Sequence, residues 1–187
     1  MNRTGFLLLI IIVGLLRFWE TLWLDKHRER GKIIANWTII LFGISYTLTM
    51  IIAISEVLLA HREINLLISG IGLFLLLIRL KLKLWAVKTL DKYWSSNIEI
   101  RPSQRLIKRG PYQYLRHPVY LGRLIDITGM LLVINAYYTL AISLPIHIVI
   151  IMIRIHIEED VLVKQFGTEY IKYRQEICGL LPIRKTK

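Results

Sequence analysis

The sequence predicts an all-α, polytopic membrane protein with about five transmembrane helices, and three observations carry that prediction. Apolar residues fall in blocks long enough to span a bilayer, the basic residues gather between those blocks, and one long polar segment separates the third block from the fourth. About five spans of about 20 residues each would occupy about 100 positions, leaving the remainder of the 187 residues for loops and a site. The composition agrees: 55% of residues are hydrophobic and 20% charged, against about 45–50% and about 25% in soluble domains, and the mean hydropathy is +0.50. A soluble two-domain enzyme, a disulfide scaffold and a disordered chain are excluded. The length suits one domain.

The first span is read at about Thr4 to Trp23, closed by Trp19 and Trp23 as interfacial aromatics. Phe6 to Leu16 has the apolar core of a signal peptide. It runs on through Arg17-Phe18-Trp19-Glu20 without a small-residue cleavage site, so a retained helix is expected. A basic loop, Asp25 to Lys32, leads to a second span at about Ile33 to Ser55, and Glu56, His61, Arg62 and Glu63 make a short connector. The third span begins near Ile64 and leaves the hydrocarbon around Arg79. Leu80-Lys81-Leu82-Lys83-Leu84-Trp85 then carries the helix to the interface with its lysines snorkelling towards water.

A polar segment of about 30 residues, Asp91 to His117, comes next. The fourth span is expected at about Pro118 to Ile134 and the fifth at about Tyr138 to Ile155, with Pro145 tolerated inside it. Asn135-Ala136-Tyr137 is too short for anything but a tight helical hairpin. From Glu158 the chain turns polar and helical, ending at Gly179-Leu180-Leu181-Pro182. There is no internal repeat. The glycosylation sequon Asn36-Trp37-Thr38 falls at the inner end of a span and is read as chance.

Charge placement gives orientation. The net charge is +12, from 25 Lys+Arg against 13 Asp+Glu. Lys26, Arg28, Arg30 and Lys32 lie in the first loop, seven further basic residues from Lys88 to Arg116 in the third, and more in the tail. The second loop has only Arg62 and the fourth none. Loops one and three and the tail are therefore expected in the cytoplasm, with the N-terminus outside. The expected partner is the lipid bilayer and not nucleic acid, because no zinc-ligand pair, RNA-binding signature or continuous basic stripe is present. Cys178, the only cysteine, can form no internal disulfide and no multi-cysteine metal site.

Two polar clusters stand out. The first is Arg109-Gly110-Pro111-Tyr112-Gln113-Tyr114-Leu115-Arg116-His117-Pro118-Val119-Tyr120-Leu121-Gly122. Gly110-Pro111 marks a turn, His117 is biased out of the helical region by the following proline, and Pro118 can open the fourth helix. Amides after Pro118 would favour an anionic ligand group, though an ordinary basic loop with interfacial tyrosines reads the same way. The second cluster is Arg154-Ile155-His156-Ile157-Glu158-Glu159-Asp160, where a helix sets Arg154 and Glu158 on one face. Ionisable groups at that depth face a protein interior or aqueous cavity, or form a snorkelling ion pair. The hairpin brings both clusters to one membrane face. Arg123 and Asp126 also share a helix face and read as a mutually neutralising pair, and His147 reads as a packed, hydrogen-bonded histidine. No metal-ligand pair, Gly-rich phosphate loop or serine elbow is found.

At these clusters the sequence resembles the isoprenylcysteine carboxyl methyltransferase family, prokaryotic members included. The matching residues are Gly110-Pro111-Tyr112, Arg116-His117-Pro118-Val119-Tyr120 with Gly122, and Arg154 followed by Glu158-Glu159. They continue with Phe166-Gly167-Thr168-Glu169-Tyr170-Ile171-Lys172-Tyr173 and a terminal Leu181-Pro182. The resemblance implies one integral membrane methyltransferase domain over residues 1–187. Residues 1–90 would hold three N-terminal helices, and residues 91–187 the cofactor-binding and catalytic region with a cytoplasmic cofactor-binding loop and a C-terminal helix. It implies S-adenosyl-L-methionine as cofactor, S-adenosyl-L-homocysteine as product, and no metal. The implied cofactor-binding residues are Glu99, Gln104, Arg105, Leu106, Ile107, Tyr112, His117, Pro118, Val119, Tyr120 and Glu158. Arg154 would hold the substrate carboxylate, and Arg154 with Glu158 would carry catalysis.

The implied reaction is methyl transfer to a lipophilic acceptor at the membrane interface, a lipophilic small molecule or the carboxylate of a prenylated cysteine. Positioning and electrostatics carry such a displacement. A carboxylate is already ionised at neutral pH, so no general base is required. The site is expected at the cytoplasmic face, of the plasma membrane in a prokaryote or the endoplasmic reticulum in a eukaryote. The alternatives are a phospholipid or other small-lipid methyltransferase of the same superfamily, with His117 or Tyr120 as candidate base for a hydroxyl acceptor, a membrane reductase using a nicotinamide, and a non-catalytic scaffold or small transporter.

Overall fold

Where the apolar blocks stand, the backbone satisfies itself as helix, because hydrocarbon offers it no other hydrogen-bonding partner. A computed structural model describes residues 31–59, 64–101 and 104–180. The predicted first span, most of the first basic loop, His61 to Glu63 and Leu181-Pro182 lie outside the described residues. The described chain is mostly helical, with α1 (Asn36–Leu59), α2 (Leu66–Leu90), α3 (Pro118–Val133), α4 (Tyr137–Phe166) and α5 (Thr168–Glu176). Single 3-10 turns occupy Asp91–Tyr93 and Gly110–Gln113. Among the described residues, α1 and α4 are long and apolar enough to cross a membrane by length and composition. In α2 the apolar run is interrupted by Arg79, Lys81 and Lys83, and α3 has only 16 residues, about 24 Å of rise.

α1 buries only Thr38, Thr49 and Ala53 and leaves Ile44, Leu48, Ile51 and Leu58 exposed. Small and polar residues face the protein while branched aliphatics face outward, the reverse of a soluble helix and the arrangement that lipid favours. Among the described residues, the most extensive helix pairing is α2 on α3, and it depends on two glycines. A Cβ on Gly72 would lie 2.6 Å from both the Gly129 carbonyl oxygen and the Val133 amide nitrogen, and one on Gly129 would lie 3.0 Å from the Gly72 carbonyl oxygen. The backbones approach as closely as the absence of side chains allows.

The α3–α4 connection is the expected tight hairpin. Asn135 turns the chain in the left-handed region (φ 58°), and its amide oxygen accepts from the Asn65 amide (2.9 Å) and the Tyr137 hydroxyl (2.6 Å). Its Nδ2 donates to Ser69 Oγ at 2.7 Å. Glu56 of α1 caps the start of α4, accepting from the Thr139 amide and hydroxyl, each at 2.7 Å. One departure from an all-helical reading is a two-residue antiparallel pairing of β1 (Lys32–Ile33) with β2 (Glu99–Ile100), Lys32 opposite Ile100 and Ile33 opposite Glu99. Supported by the Ile34 amide on the Ile98 carbonyl at 3.0 Å, it fastens the start of α1 to the long polar segment. Two residues are too few for any strand periodicity to show in the sequence.

Candidate functional site

Chain geometry brings the polar segment back across the end of the helices. Gly110 adopts φ 62°, and a Cβ there would meet Thr89 Oγ1 at 2.5 Å, so this turn against the end of α2 requires glycine. The turn delivers Tyr112 inward, and Tyr173 of α5 donates its hydroxyl to the Tyr112 carbonyl at 2.5 Å. His117 stands just before α3 with an extended φ of −125°, and Pro118 takes the first helical turn. The amides of Arg116 and His117 donate to the carbonyls of Cys178 and Gly179, each at 3.0 Å, so the chain beyond α5 closes over the start of α3.

Glu159 on α4 joins these pieces. Its Oε1 accepts from His117 Nε2 at 2.9 Å and pairs with Arg116, while Arg174 of α5 stands 3.7 Å from its Oε2. The sequence reading assigned Glu159 no role. The signal lay in the Glu158-Glu159 doublet, but which of two adjacent carboxylates turns inward depends on the phase of a helix whose start was uncertain.

Two adjoining cavities open here. The first is walled by Glu99, Gln104, Arg105, Leu106 and Ile107 from the polar segment and by Leu162, Phe166, Tyr170 and Tyr173 from α4 and α5. The second is walled by Trp94, Ser96, His117, Pro118, Val119, Tyr120 and Arg123. Tyr112, Arg116 and Glu158 line both. Thus the residues predicted to bind a cofactor are gathered around these two spaces, with Tyr112 and Glu158 at their junction.

Arg154 does not line either cavity. It is 1% exposed, donates through Nη1 to Thr38 Oγ1 at 2.6 Å and through Nη2 to the Ser96 carbonyl at 3.0 Å, and lies 5.7 Å from the Tyr120 ring centroid. Its guanidinium ties α1 and the segment after the Asp91–Tyr93 turn to α4, and Nε has no hydrogen-bond partner. Thr38, the threonine of the apparent sequon, is buried in that contact. Glu99 is also held: it accepts from Ser95 Oγ and Arg101 Nη2, both at 2.7 Å, and from the Gly31 amide at 3.0 Å.

On α3, Asp126 is met by Arg79 of α2 at 3.0 Å. Arg123 lies over the rings of Phe42 (4.7 Å) and Tyr120 (5.5 Å). The expected Arg123–Asp126 pairing is replaced by the Arg79–Asp126 pair and by Arg123 over Phe42 of α1, contacts between helices that intrahelical spacing cannot reveal, and by the Tyr120 ring on α3 itself. His147 is packed as expected, its Nδ1 donating to the Ser143 carbonyl at 2.8 Å. Burial pushes the hydroxyl groups of Tyr170 and Tyr173 above the ordinary tyrosine range. Burial, with the Glu158 carboxylate next in effect, does the same at Tyr112. All three stay neutral hydrogen-bonding groups at working pH. The wall from Trp94 to Asn97 and the pair Tyr170 and Tyr173 were not among the predicted site residues. The first carries no motif, and the second belongs to the family-matching stretch Phe166 to Tyr173, to which the sequence gives no site role before α5 is docked.

The profile of the isoprenylcysteine carboxyl methyltransferase (ICMT) family matches residues 70–164, just over half of the chain. Uncharacterized protein YpbQ of Bacillus subtilis (strain 168) is 30% identical over 109 residues, 58% of this chain and 64% of that protein. The chain thus spans just under two thirds of this relative's length. Protein-S-isoprenylcysteine O-methyltransferase B of Arabidopsis thaliana is 28% identical over 145 residues, 73% of each chain. A solved structure of the eukaryotic intramembrane Ras methyltransferase ICMT shares the fold, with a TM-score of 0.67 at 22% identity over 77% of this chain and 53% of that one. With its family motifs brought around a double cavity at one end of the helices, the chain belongs to the isoprenylcysteine carboxyl methyltransferase family.

Proposed function

We propose that this chain is a multi-pass membrane methyltransferase that transfers the methyl group of S-adenosyl-L-methionine to the carboxylate of an isoprenylcysteine-like acceptor. On this reading the chain is one unit of about five spans with the N-terminus outside, and the double cavity faces the cytoplasm, where the basic loops lie. The observation that carries the reading is the double cavity itself, with Glu158 on the wall common to both spaces.

The residues fit the cofactor. The first cavity combines apolar surface (Leu106, Ile107, Leu162, Phe166) with buried polar atoms that have no hydrogen-bond partner, Gln104 Oε1 among them. Buried polar groups without partners are costly and point to a ligand. An amphiphilic ligand with a nucleoside and a charged tail suits such walls, and Glu158 supplies the negative charge that a cationic group requires. When bound, this cofactor supplies an electrophilic methyl on a sulfonium.

The protein's own contribution is positioning and electrostatics. Glu158 and Tyr112 hold the junction, and the tyrosine hydroxyls remain protonated donors. Arg154 fixes the segment bearing Ser96 and adds positive potential beside the Tyr120 ring. A site that joins a cytosolic donor to a membrane-borne acceptor belongs at the interface, where these side chains converge.

Calorimetry on detergent-purified protein tests the cofactor half of the proposal. S-adenosyl-L-homocysteine should bind, and Glu158→Gln should weaken that binding about 10-fold, as expected for loss of a charge-assisted contact. Absence of binding by the wild-type protein would refute the reading.

A further inference from the structure

We propose that Arg123 and Trp94 form the anion-receiving end of the acceptor subsite, so that the second cavity selects a carboxylate carried on a hydrocarbon chain. The inference rests on the methyl-transfer reading above and adds two residues that neither the motif nor the family resemblance assigns.

Both side chains line the second cavity and are absent from the walls of the first. Each presents a buried donor without a hydrogen-bond partner: Arg123 Nη1 and the indole Nε1 of Trp94. Among the described residues, no carboxylate is ion-paired with Arg123; its guanidinium lies over the faces of Phe42 and Tyr120 and feels the Glu158 carboxylate only at longer range. The nearest acid on its own helix, Asp126, is met by Arg79. A guanidinium cannot shed its charge at working pH, and a buried one without an acceptor is expensive. The cost is recovered when an anion enters.

Polarity within the double cavity is divided accordingly. Glu158 stands on the shared wall, next to the space that suits a cationic ligand. The unpartnered donors of Arg123 and Trp94 belong to the second cavity alone, where an anion finds them. Pro118, Val119 and the Tyr120 ring give the same cavity an apolar wall, matching an acceptor with one charged end and one greasy end. Arg154, 5.7 Å from the Tyr120 ring centroid, adds positive potential while anchored to Thr38 and Ser96.

Binding tests this without relying on turnover. N-acetyl-S-farnesyl-cysteine and oleate, each compared with its neutral amide, would be titrated into the detergent-purified full chain, wild type, Arg123→Gln, Arg123→Lys and Trp94→Phe. S-adenosyl-L-homocysteine affinity would be measured alongside as a check on the cofactor site. The wild type should bind at least one acid about 10-fold more tightly than its amide. Arg123→Gln should abolish that preference, Arg123→Lys should restore part of it, and Trp94→Phe, which removes one N–H and keeps the ring, should reduce it. Preference for the farnesyl acid over oleate, or the reverse, identifies which acceptor the cavity takes. A wild-type protein that does not distinguish acid from amide, or an acid preference unchanged in both Arg123→Gln and Trp94→Phe, overturns the inference. Retained homocysteine-product binding in that case leaves the cofactor reading standing.

Discussion

His117 Nε2 lies 2.9 Å from Glu159 Oε1, and this contact couples the start of α3 to the C-terminal part of α4. The same carboxylate pairs with Arg116 and stands within reach of Arg174 on α5. Three segments that wall the double cavity are therefore referred to one side chain, which is 9% exposed.

Removing that reference should loosen the site before it unfolds the protein. Glu159→Gln retains the shape and one acceptor but leaves Arg116 unpaired. A cost of about 1–3 kcal/mol in stability is expected for a partly buried, charge-assisted contact. Cofactor-product affinity should fall with it. Thermal unfolding in detergent, read together with calorimetry, checks both. Wild-type values in each would show that the cluster is ornamental.

Glycine substitutions should separate sharply by position. Gly72→Ala drives a methyl to within 2.6 Å of backbone atoms of α3 and should destabilise by about 1–3 kcal/mol, the usual cost of overpacking. Gly43→Ala, with nothing within 4 Å of the added carbon, should be neutral or stabilise by up to about 1 kcal/mol through helix propensity. Comparing the two unfolding midpoints in one detergent tests whether α2 and α3 are packed backbone to backbone.

Arg154 is expected to matter for both stability and turnover. Arg154→Ala should lower methyl transfer by at least about 100-fold, since an orienting charge contact is worth about 2–3 kcal/mol or more. Arg154→Lys should not rescue it, because an ammonium cannot span Thr38 and the Ser96 carbonyl as a guanidinium fork does. Thr38→Ala should reproduce part of the loss. Turnover of the purified variants against unfolding midpoint discriminates the two contributions.

Alkaline pH should destabilise the fold through its buried tyrosines. Tyr112, Tyr170 and Tyr173 have folded-state values raised above the ordinary 10.0. Above about pH 10 the unfolded chain releases phenolic protons that the folded chain retains, so the unfolded state binds fewer protons and stability falls as pH rises. Below about pH 10 this contribution is fully present. Unfolding midpoints measured from neutral to strongly alkaline pH should stay level and then drop, with phenolate absorbance appearing only on unfolding for these three residues.

The elements legible in the sequence were those set by local rules. Pro118 following His117 announced the start of α3, Asn135-Ala136 announced a hairpin, and Gly110 announced a turn that proves to need a positive φ. The residues expected around a cofactor were legible through their motifs, and the chain does gather them at two adjoining cavities. What escaped was long-range pairing. Nothing in the sequence ties Arg154 to Thr38, 116 positions away, or Asp126 to Arg79 instead of its helical neighbour Arg123. The role of Glu159 depends on helix phase, and that of Trp94 on a loop whose path only the packed structure fixes.

Incubating the detergent-purified chain with S-adenosyl-L-methionine labelled in its methyl group and N-acetyl-S-farnesyl-cysteine tests the central claim most directly. The account predicts label in the acceptor as a base-labile methyl ester, with none in the amide analogue. Label absent from the acceptor, in a protein that is folded and binds the cofactor product, would contradict it.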